Sequence, residues 1–399
     1  MSVAATTTTT TAVRTSATPV GSRIAALDVM RGLAMVLMAI DHVRVYSGVP
    51  AGGPTAGVFF TRWVTHVCAP AFVFLAGTSA FLYGRKQTGG NELARYLVTR
   101  GVVLVLLELT VIRIAWTFNV DFAHYVLAGV IWMLGLCMVL LAPLTYFRLG
   151  AVATIGAAIV AGHNLIDPFL PRLIPAAQAS ATPWLWQILY LGPIAGSGGP
   201  FVVLYSLLPW IGVMAIGYAF GAIVVMDSER RDRLCLRIGL AAIAAFVALR
   251  VARVYGDPRP WNGSSGLGFL NTTKYPASLQ FLLMTLGPMI ALLPLAERAR
   301  TAFTEMLSVF GRVPLFYYLL HIPAIHAAAL VVSLVREGRV DAWLFENHPM
   351  LNPPPPQGYT WSLGLLYLVF GIVVATLYVP CRWFARVKAR RRETWLRYL

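Results

Sequence analysis

Ten stretches of this chain stay apolar for roughly the 20 residues that a helix needs to cross a bilayer. They lie at 24–45, 58–83, 96–116, 122–145, 149–165, 201–226, 236–255, 277–296, 313–335 and 361–385. No soluble core could absorb that many long apolar runs. In lipid each backbone N–H and C=O must be satisfied within the protein, which for single runs of this length leaves only the helix. The expected fold is therefore all-α, a polytopic transmembrane helical bundle of about ten spans, with the lipid bilayer as its first partner. Composition agrees: 58% of the residues are hydrophobic and 12% charged, about half the charged share of a soluble domain.

The formal net charge is +16, which in a soluble protein would suggest nucleic acid. Here the chain offers no large solvated surface to carry such binding, and most Lys and Arg fall in short segments between apolar runs, where they orient spans. One set of alternate loops collects Arg14 and Arg23, then Arg85, Lys86 and Arg95, then Arg148, then Arg230, Arg231, Arg233 and Arg237, then Arg298 and Arg300, and finally Arg386, Lys388, Arg390, Arg391 and Arg392. The other set carries only a few per loop. By the positive-inside rule this gives an even number of spans with both termini cytoplasmic. All seven histidines then sit within the membrane or at its outer side.

Residues 1–22 form a Thr-rich tract that reads as a disordered cytoplasmic tail, 23–386 as the membrane domain, and 387–399 as a basic cytoplasmic tail. The Pro/Gly-rich stretch from Pro168 to Pro200, with Trp184 and Trp186, reads as an interfacial or re-entrant loop. Cys68, Cys137, Cys235 and Cys381 are too scattered for a metal pair or a disulfide framework, and no metal is expected.

The first span holds the most chemistry. Arg31 and His42 are eleven residues apart, about three helical turns, so they share one face and stand roughly 16 Å apart along the axis. Asp28, three residues before Arg31, can pair with it on that face. The second span adds Arg62 and His66 at the same end as Asp41, His42 and Arg44. So many ionisable groups are costly in lipid, and the expectation is a shared cavity holding His42 and His66, with Arg62 and Arg113 nearby. Taken alone, a snorkelling Arg with an interfacial His, or a structural ion-pair cluster, would account for them equally well. Glu108, within the third span, is either functional or paired with an outer arginine. Asn271, Lys274 and Tyr275 lead into the eighth span through Pro276 and suit a substrate-facing loop or plain interfacial anchoring. His321, two residues before Pro323, suits either catalysis or filling the polar gap that a helical proline opens.

At these residues the chain resembles known membrane acyltransferases. Leu27-Asp28, Arg31-Gly32 and His42 resemble the first-span motif of the bacterial acyltransferase-three family, in which that Arg and that His are both essential. Pro70 to Ser79, Pro209 to Met214 with Gly217, the Asn271 to Ser278 segment and the run from Tyr378 to Trp383 resemble the heparan-α-glucosaminide N-acetyltransferase family and its bacterial relatives. In the human-type enzyme the catalytic His lies between the first two spans; here Val43 to Trp63 contains none, and the nearest are His42 and His66.

The resemblance implies an acyltransferase of the cytoplasmic membrane that moves an acetyl or other acyl group from cytosolic acyl-CoA to a saccharide or glycolipid on the far side. His42 would then be general base or acyl carrier, with Asp41 orienting it and His66 as the other catalytic candidate. Arg31, with Asp28, would sit near the CoA phosphates or the thioester carbonyl. Arg62, Arg113, Asn271, Lys274, Tyr275 and His321 would bind substrate. A bundle with intramembrane Arg, Glu and His also fits a proton-coupled transporter or a glycolipid flippase, the competing class. The topology is checked by impermeant maleimide on intact cells: Asn271→Cys should react and Ser228→Cys should not, and the reverse pattern would overturn it.

Overall fold

The computed structural model describes residues 24–87, 91–192, 201–346, 354–391 and 393. The expected tail 1–22, the loop cation Arg23, His348, the end of the Pro/Gly-rich stretch (193–200), and residues 392 and 394–399 of the expected basic tail lie outside them.

The chain is an all-α helical bundle. It opens with α1 (Ala25–Ser47) and α2 (Ala56–Trp63), which passes through a 3-10 turn into α3 (Cys68–Gly84). Next, α4 (Glu92–Leu107) continues through a π turn at Glu108–Ile112 into α5 (Arg113–Thr117), then β1 (Val126–Ala128) and α6 (Val130–Leu144). α7 (Leu149–Gly162), α8 (Leu170–Ala179) and α9 (Pro183–Trp186) lead to β2 (Phe201–Val203), α10 (Leu207–Val224) and α11 (Ser228–Ala252). The chain goes on with α12 (Gly266–Leu270), α13 (Leu279–Arg298), α14 (Ala302–Arg312), α15 (Pro314–Glu337) and α16 (Leu363–Arg390). The two strands are three residues each and pair in parallel, tying the entry of α6 to that of α10.

Among the described residues seven helices are long and apolar enough to cross a membrane: Ala56–Gly84, Leu149–Ala179, Leu207–Val224, Ser228–Ala252, Leu279–Arg298, Pro314–Glu337 and Leu363–Arg390. The other three expected spans are helical but differ in kind. α1 carries Asp28, Arg31, Asp41 and Arg44, and the helix from Glu92 to Thr117 carries Arg100, Glu108 and Arg113, so both are apolar only between their charges. α6 has 15 helical residues where 122–145 was expected, because the chain before Gly129 is loop and strand. The stretch after Pro168 is helical from Leu170 to Ala179 and again from Pro183 to Leu191, with a break at residues 180–182: Pro171 and Pro183 sit in first turns, where a missing N–H costs nothing, so these two prolines start helices.

Side-chain caps fix several of the ends. Ser278 accepts from Phe281 N at 3.1 Å at the start of α13, Ser362 from Leu365 N at 3.2 Å at the start of α16, and Asp227 from Arg230 N at 3.0 Å at the start of α11.

α1 is the central helix, packed against α3, α13, α14, α15 and α16. The bundle is drawn tight where glycines meet backbone across helices. A Cβ on Gly77 (α3) would lie 2.1 Å from the Met214 carbonyl oxygen, and one on Gly217 (α10) would lie 2.2 Å from that of Phe74. On α1, a Cβ at Gly32 would lie 1.9 Å from the Leu307 oxygen, and across the same crossing one at Gly311 would lie 1.8 Å from the Asp28 oxygen. Such approach without side chains is how membrane helices gain dispersion contact in a solvent as apolar as themselves. Gly77→Ala should therefore force α3 and α10 apart at a cost of about 1–3 kcal/mol, lowering the unfolding temperature in detergent. Gly371→Ala on α16, where a Cβ meets nothing within 4 Å, is the control; equal melting of the two variants would sink this account of the crossing.

Candidate active site

Four residues of α1 at 31, 35, 38 and 42 form one stripe, the i, i+4, i+7, i+11 face of a helix. Arg31 and Met35 line a cavity of about 300 Å3, and Met38 and His42 line a second of about 30 Å3. Phe72 of α3 and Val130 of α6 border both, so the two adjoin. The shared face expected for Arg31 and His42 is thus a continuous wall from one cavity to the next.

Four cations, Arg31, Arg100, Arg312 and Lys388, line the larger cavity, with no carboxylate among the described residues of its walls; the rest is mostly apolar, including Leu104, Leu134 and Met138. Arg31 is fixed by three elements. It donates to Asp28 Oδ1 at 3.3 Å, as the spacing predicts, to the Gly311 carbonyl at 3.0 Å and to Ser79 Oγ at 2.9 Å.

At the other end of the stripe His42 and His321 stand face to face. His42 Nδ1 is 2.7 Å from His321 Nε2, the rings stack with centroids 4.9 Å apart, and Trp116 closes edge-on against His42 at 4.9 Å. The tautomers follow from the neighbours. His321 Nδ1 lies 2.8 Å from the Tyr318 carbonyl and 3.3 Å from that of Tyr317, and carbonyls only accept, so the proton of a neutral His321 is on Nδ1. Its Nε2 is then an acceptor, and His42 must donate to it from Nδ1. That leaves the lone pair of His42 on Nε2, the arrangement a base requires. His321 does not fill the gap at Pro323; it bonds back to its own helix and presents its second nitrogen to α1.

The other sequence candidates divide. Asp41 does not orient His42: its oxygens go to Arg44 Nε at 2.8 Å and to Arg62 Nη1. Neighbouring helix residues point about 100° apart, which is why adjacency in sequence misleads here. Asp41, Lys274, Cys68 and Tyr205 share the walls of the small cavity with His42. His66 is not among those walls. It is buried against Phe281, ring centroids 5.5 Å apart, with Nδ1 unpartnered among the described residues, so the expected common cavity holds only one of the two histidines.

Arg113 is not free for substrate. It is 1% exposed and donates to the carbonyls of Tyr125 at 2.9 Å, Asn119 at 2.6 Å and Asp121, holding the turn after α5. Glu108 pairs with no arginine; its Oε2 accepts from Ile131 N at 3.0 Å and Trp132 N at 3.4 Å, capping the positive end of α6. Asn271 is exposed at the C-terminus of α12, and Tyr275 lies with its hydroxyl 3.5 Å from that of Tyr205.

Two residues that sequence reasoning passes over hold the 271–278 segment. Arg250, 1% exposed, donates to the carbonyls of Gly268 and Asn271, both at 2.8 Å, and of Phe269 at 2.9 Å. Asp257 accepts from Thr273 N at 3.0 Å and Thr273 Oγ1 at 2.6 Å. Only their position in apolar or loop sequence, as charges needing partners, could have flagged them. Among the described residues no cluster of side chains suits a metal ion.

A helical membrane bundle with a cation-lined cavity adjoining a half-buried, oriented imidazole has the parts of a transferase. Residues 23–253 match the family model described as heparan-alpha-glucosaminide N-acetyltransferase, catalytic. The chain belongs to that family and is an N-acetyltransferase-like membrane enzyme. No curated protein matches it. Lys274, Arg312, His321 and Lys388 lie beyond the matched segment, so this site is completed by residues outside the shared part.

The tautomer assignment is open to direct measurement. In 15N spectra of histidine-labelled protein, the signal lost in His42→Gln should be that of a neutral ring protonated on Nδ1; a ring protonated on Nε2 would overturn the assignment.

Proposed function

We propose that this enzyme transfers an acetyl group from acetyl-CoA, bound from the cytoplasmic side, to an amine or hydroxyl of a saccharide or glycolipid on the far side of the cytoplasmic membrane. The observation that carries the reading is the pair of adjoining cavities along one α1 face, cationic at one and bearing His42 at the other. The larger, at about 300 Å3, is at the low end for a small-molecule site. It suits a pantetheine arm along its apolar wall, with the donor's phosphates on Arg100, Arg312 and Lys388. Guanidinium and ammonium groups are the usual phosphate partners. The thioester then passes Phe72 and Val130 to reach His42, whose Nε2 takes the acceptor's proton. His321 is a positioning residue: it holds the His42 tautomer and turns the ring.

The family name points to an amino sugar as acceptor. The positive-inside bias supports the cytoplasmic placement of the donor cavity, because Lys388 belongs to the Arg/Lys-rich end of the chain. A proton-coupled transporter would need no base aimed at a pocket beside a phosphate-binding cavity.

Purified protein in detergent should release CoA from acetyl-CoA when an amino sugar such as glucosamine is supplied as acceptor, and inside-out vesicles fed isotope-labelled acetyl-CoA should yield labelled envelope glycans by mass spectrometry. Arg312→Gln should raise the donor KM by the equivalent of roughly 1.5–3 kcal/mol, the loss of one charged hydrogen-bond partner, with kcat nearly kept. His42→Gln should bind donor and lose transfer. A folded His42→Gln that transfers at the parental rate would end the catalytic assignment, and a protein that moves glycolipid without releasing CoA would make it a flippase.

A further inference from the structure

We propose that Lys274 is the oxyanion-binding catalytic residue of this site, holding the thioester carbonyl oxygen while it carries negative charge. The proposal rests on the acyltransferase reading above.

Lys274 is 8% exposed and lines the small cavity with His42. Among the described residues its ammonium makes no hydrogen bond and no ion pair; it stands 5.3 Å from the centroid of the Tyr275 ring. Asp41, the carboxylate on the same cavity, is already taken by Arg44 and Arg62. So a buried ammonium stands without a hydrogen-bonded partner in a site whose one carboxylate already holds two guanidinium groups. Burying an ammonium without a partner is among the costlier things a fold can do, and here the fold does it with care. Thr273, the preceding residue, is clamped by Asp257; Lys274 and Ala277 form a bridge across the turn; and the Ala277 carbonyl accepts from His163 Nε2 at 2.9 Å. The segment is built to hold that side chain where it is.

Size narrows the occupant. A cavity of about 30 Å3 takes roughly two water-sized groups, since one needs about 10–15 Å3 of such space. It is too small for a sugar carboxylate and ring, and suits the oxygen and methyl of one acetyl group, with the acceptor and the sulfur at its edges.

The step balances. The acceptor nitrogen or oxygen attacks the thioester carbon as its proton passes to His42 Nε2. The new bond forms and the carbonyl π pair moves onto oxygen, against the Lys274 ammonium. Collapse restores the C=O and breaks the C–S bond; the pair leaves on sulfur, and the proton returns from His42 to give the CoA thiol. Lys274 ends as it began. A donor fixed where charge develops, in a site with little water, acts on the transition state far more than on the neutral thioester.

The test is CoA release from acetyl-CoA by the full-length protein in detergent with glucosamine supplied as acceptor, and with folded fraction measured alongside. Lys274→Met should stay folded and lose about 10²- to 10³-fold in kcat, with the donor KM little changed, because the donor's phosphates bind elsewhere. Lys274→Arg should recover part of the rate. In Lys274→Ala, added ethylammonium should restore turnover in excess of any effect on the parental protein or on His42→Gln, since it can enter the space the side chain leaves. A folded Lys274→Met with near-parental kcat overturns the proposal and leaves the acyltransferase reading standing. Activity lost only in step with folded protein, with no rescue by the amine, overturns it too and makes Lys274 a packing residue. If the parental protein releases no CoA at all, the reading and the proposal fall together.

Discussion

The arrangement depends on α1 carrying two carboxylates and two guanidinium groups through the middle of an apolar bundle. Two of them, Asp28 and Arg31, answer one another, and Arg31 reaches on to Ser79 and the Gly311 carbonyl; the other two, Asp41 and Arg44, are joined by Arg62 from α2. A charge at the centre of a bilayer costs several kcal/mol unless it is paired and screened from lipid, so α1 cannot lie at the periphery. Its neighbours must come close enough to supply partners. The glycine contacts with α14 meet that need: with Gly32 and Gly311 in place, the Arg31 guanidinium can reach the backbone of α14. Ion pairing fixes where α1 sits, and small residues let the rest of the bundle close around it.

The same logic separates what could be read from the sequence from what could not. Arg31 and His42 share a face because helical period is local, and eleven residues return to nearly the same angle whatever the helix packs against. The Asp28–Arg31 pair is legible for the same reason. Glu108 and Arg113 look, in sequence, like buried charges in search of opposite charges. In the folded chain they are answered by backbone: the N–H groups at the start of α6 for the carboxylate, and three loop carbonyls for the guanidinium. Backbone dipoles have no residue identity, so nothing in the letters distinguishes a charge satisfied that way from one waiting for substrate.

His321 shows the limit from the other side. It lies 279 positions from its partner His42, and no spacing rule joins them. What was legible was that a buried histidine needs both nitrogens accounted for; which helix supplies the second partner is a matter of tertiary packing. His66 and His42, by contrast, belong to consecutive expected spans and the same expected end of the bundle, yet only one reaches the cavity. Being near the same level of a bundle is a weaker condition than facing the same void.

The two ends of the α1 stripe also differ in how their charges are used. Around Arg31 the cations line a cavity roughly ten times the volume of the one at His42, with exposed Arg312 among its walls. A pocket of that kind can bind and release an anion, because water can replace the ligand when it leaves. Around His42 the space is small, the carboxylate is already engaged, and the residues where the two cavities meet, Met35, Met38, Phe72 and Val130, carry apolar side chains. A space that small admits few waters to compete for the lone pair on Nε2 or to shield the nearby ammonium, so electrostatic interactions there are stronger than the same groups would make at a surface. On the acyltransferase reading, binding the donor in the roomier cavity and reacting in the tighter one suits thioester chemistry, since water is itself an acceptor that would waste the donor.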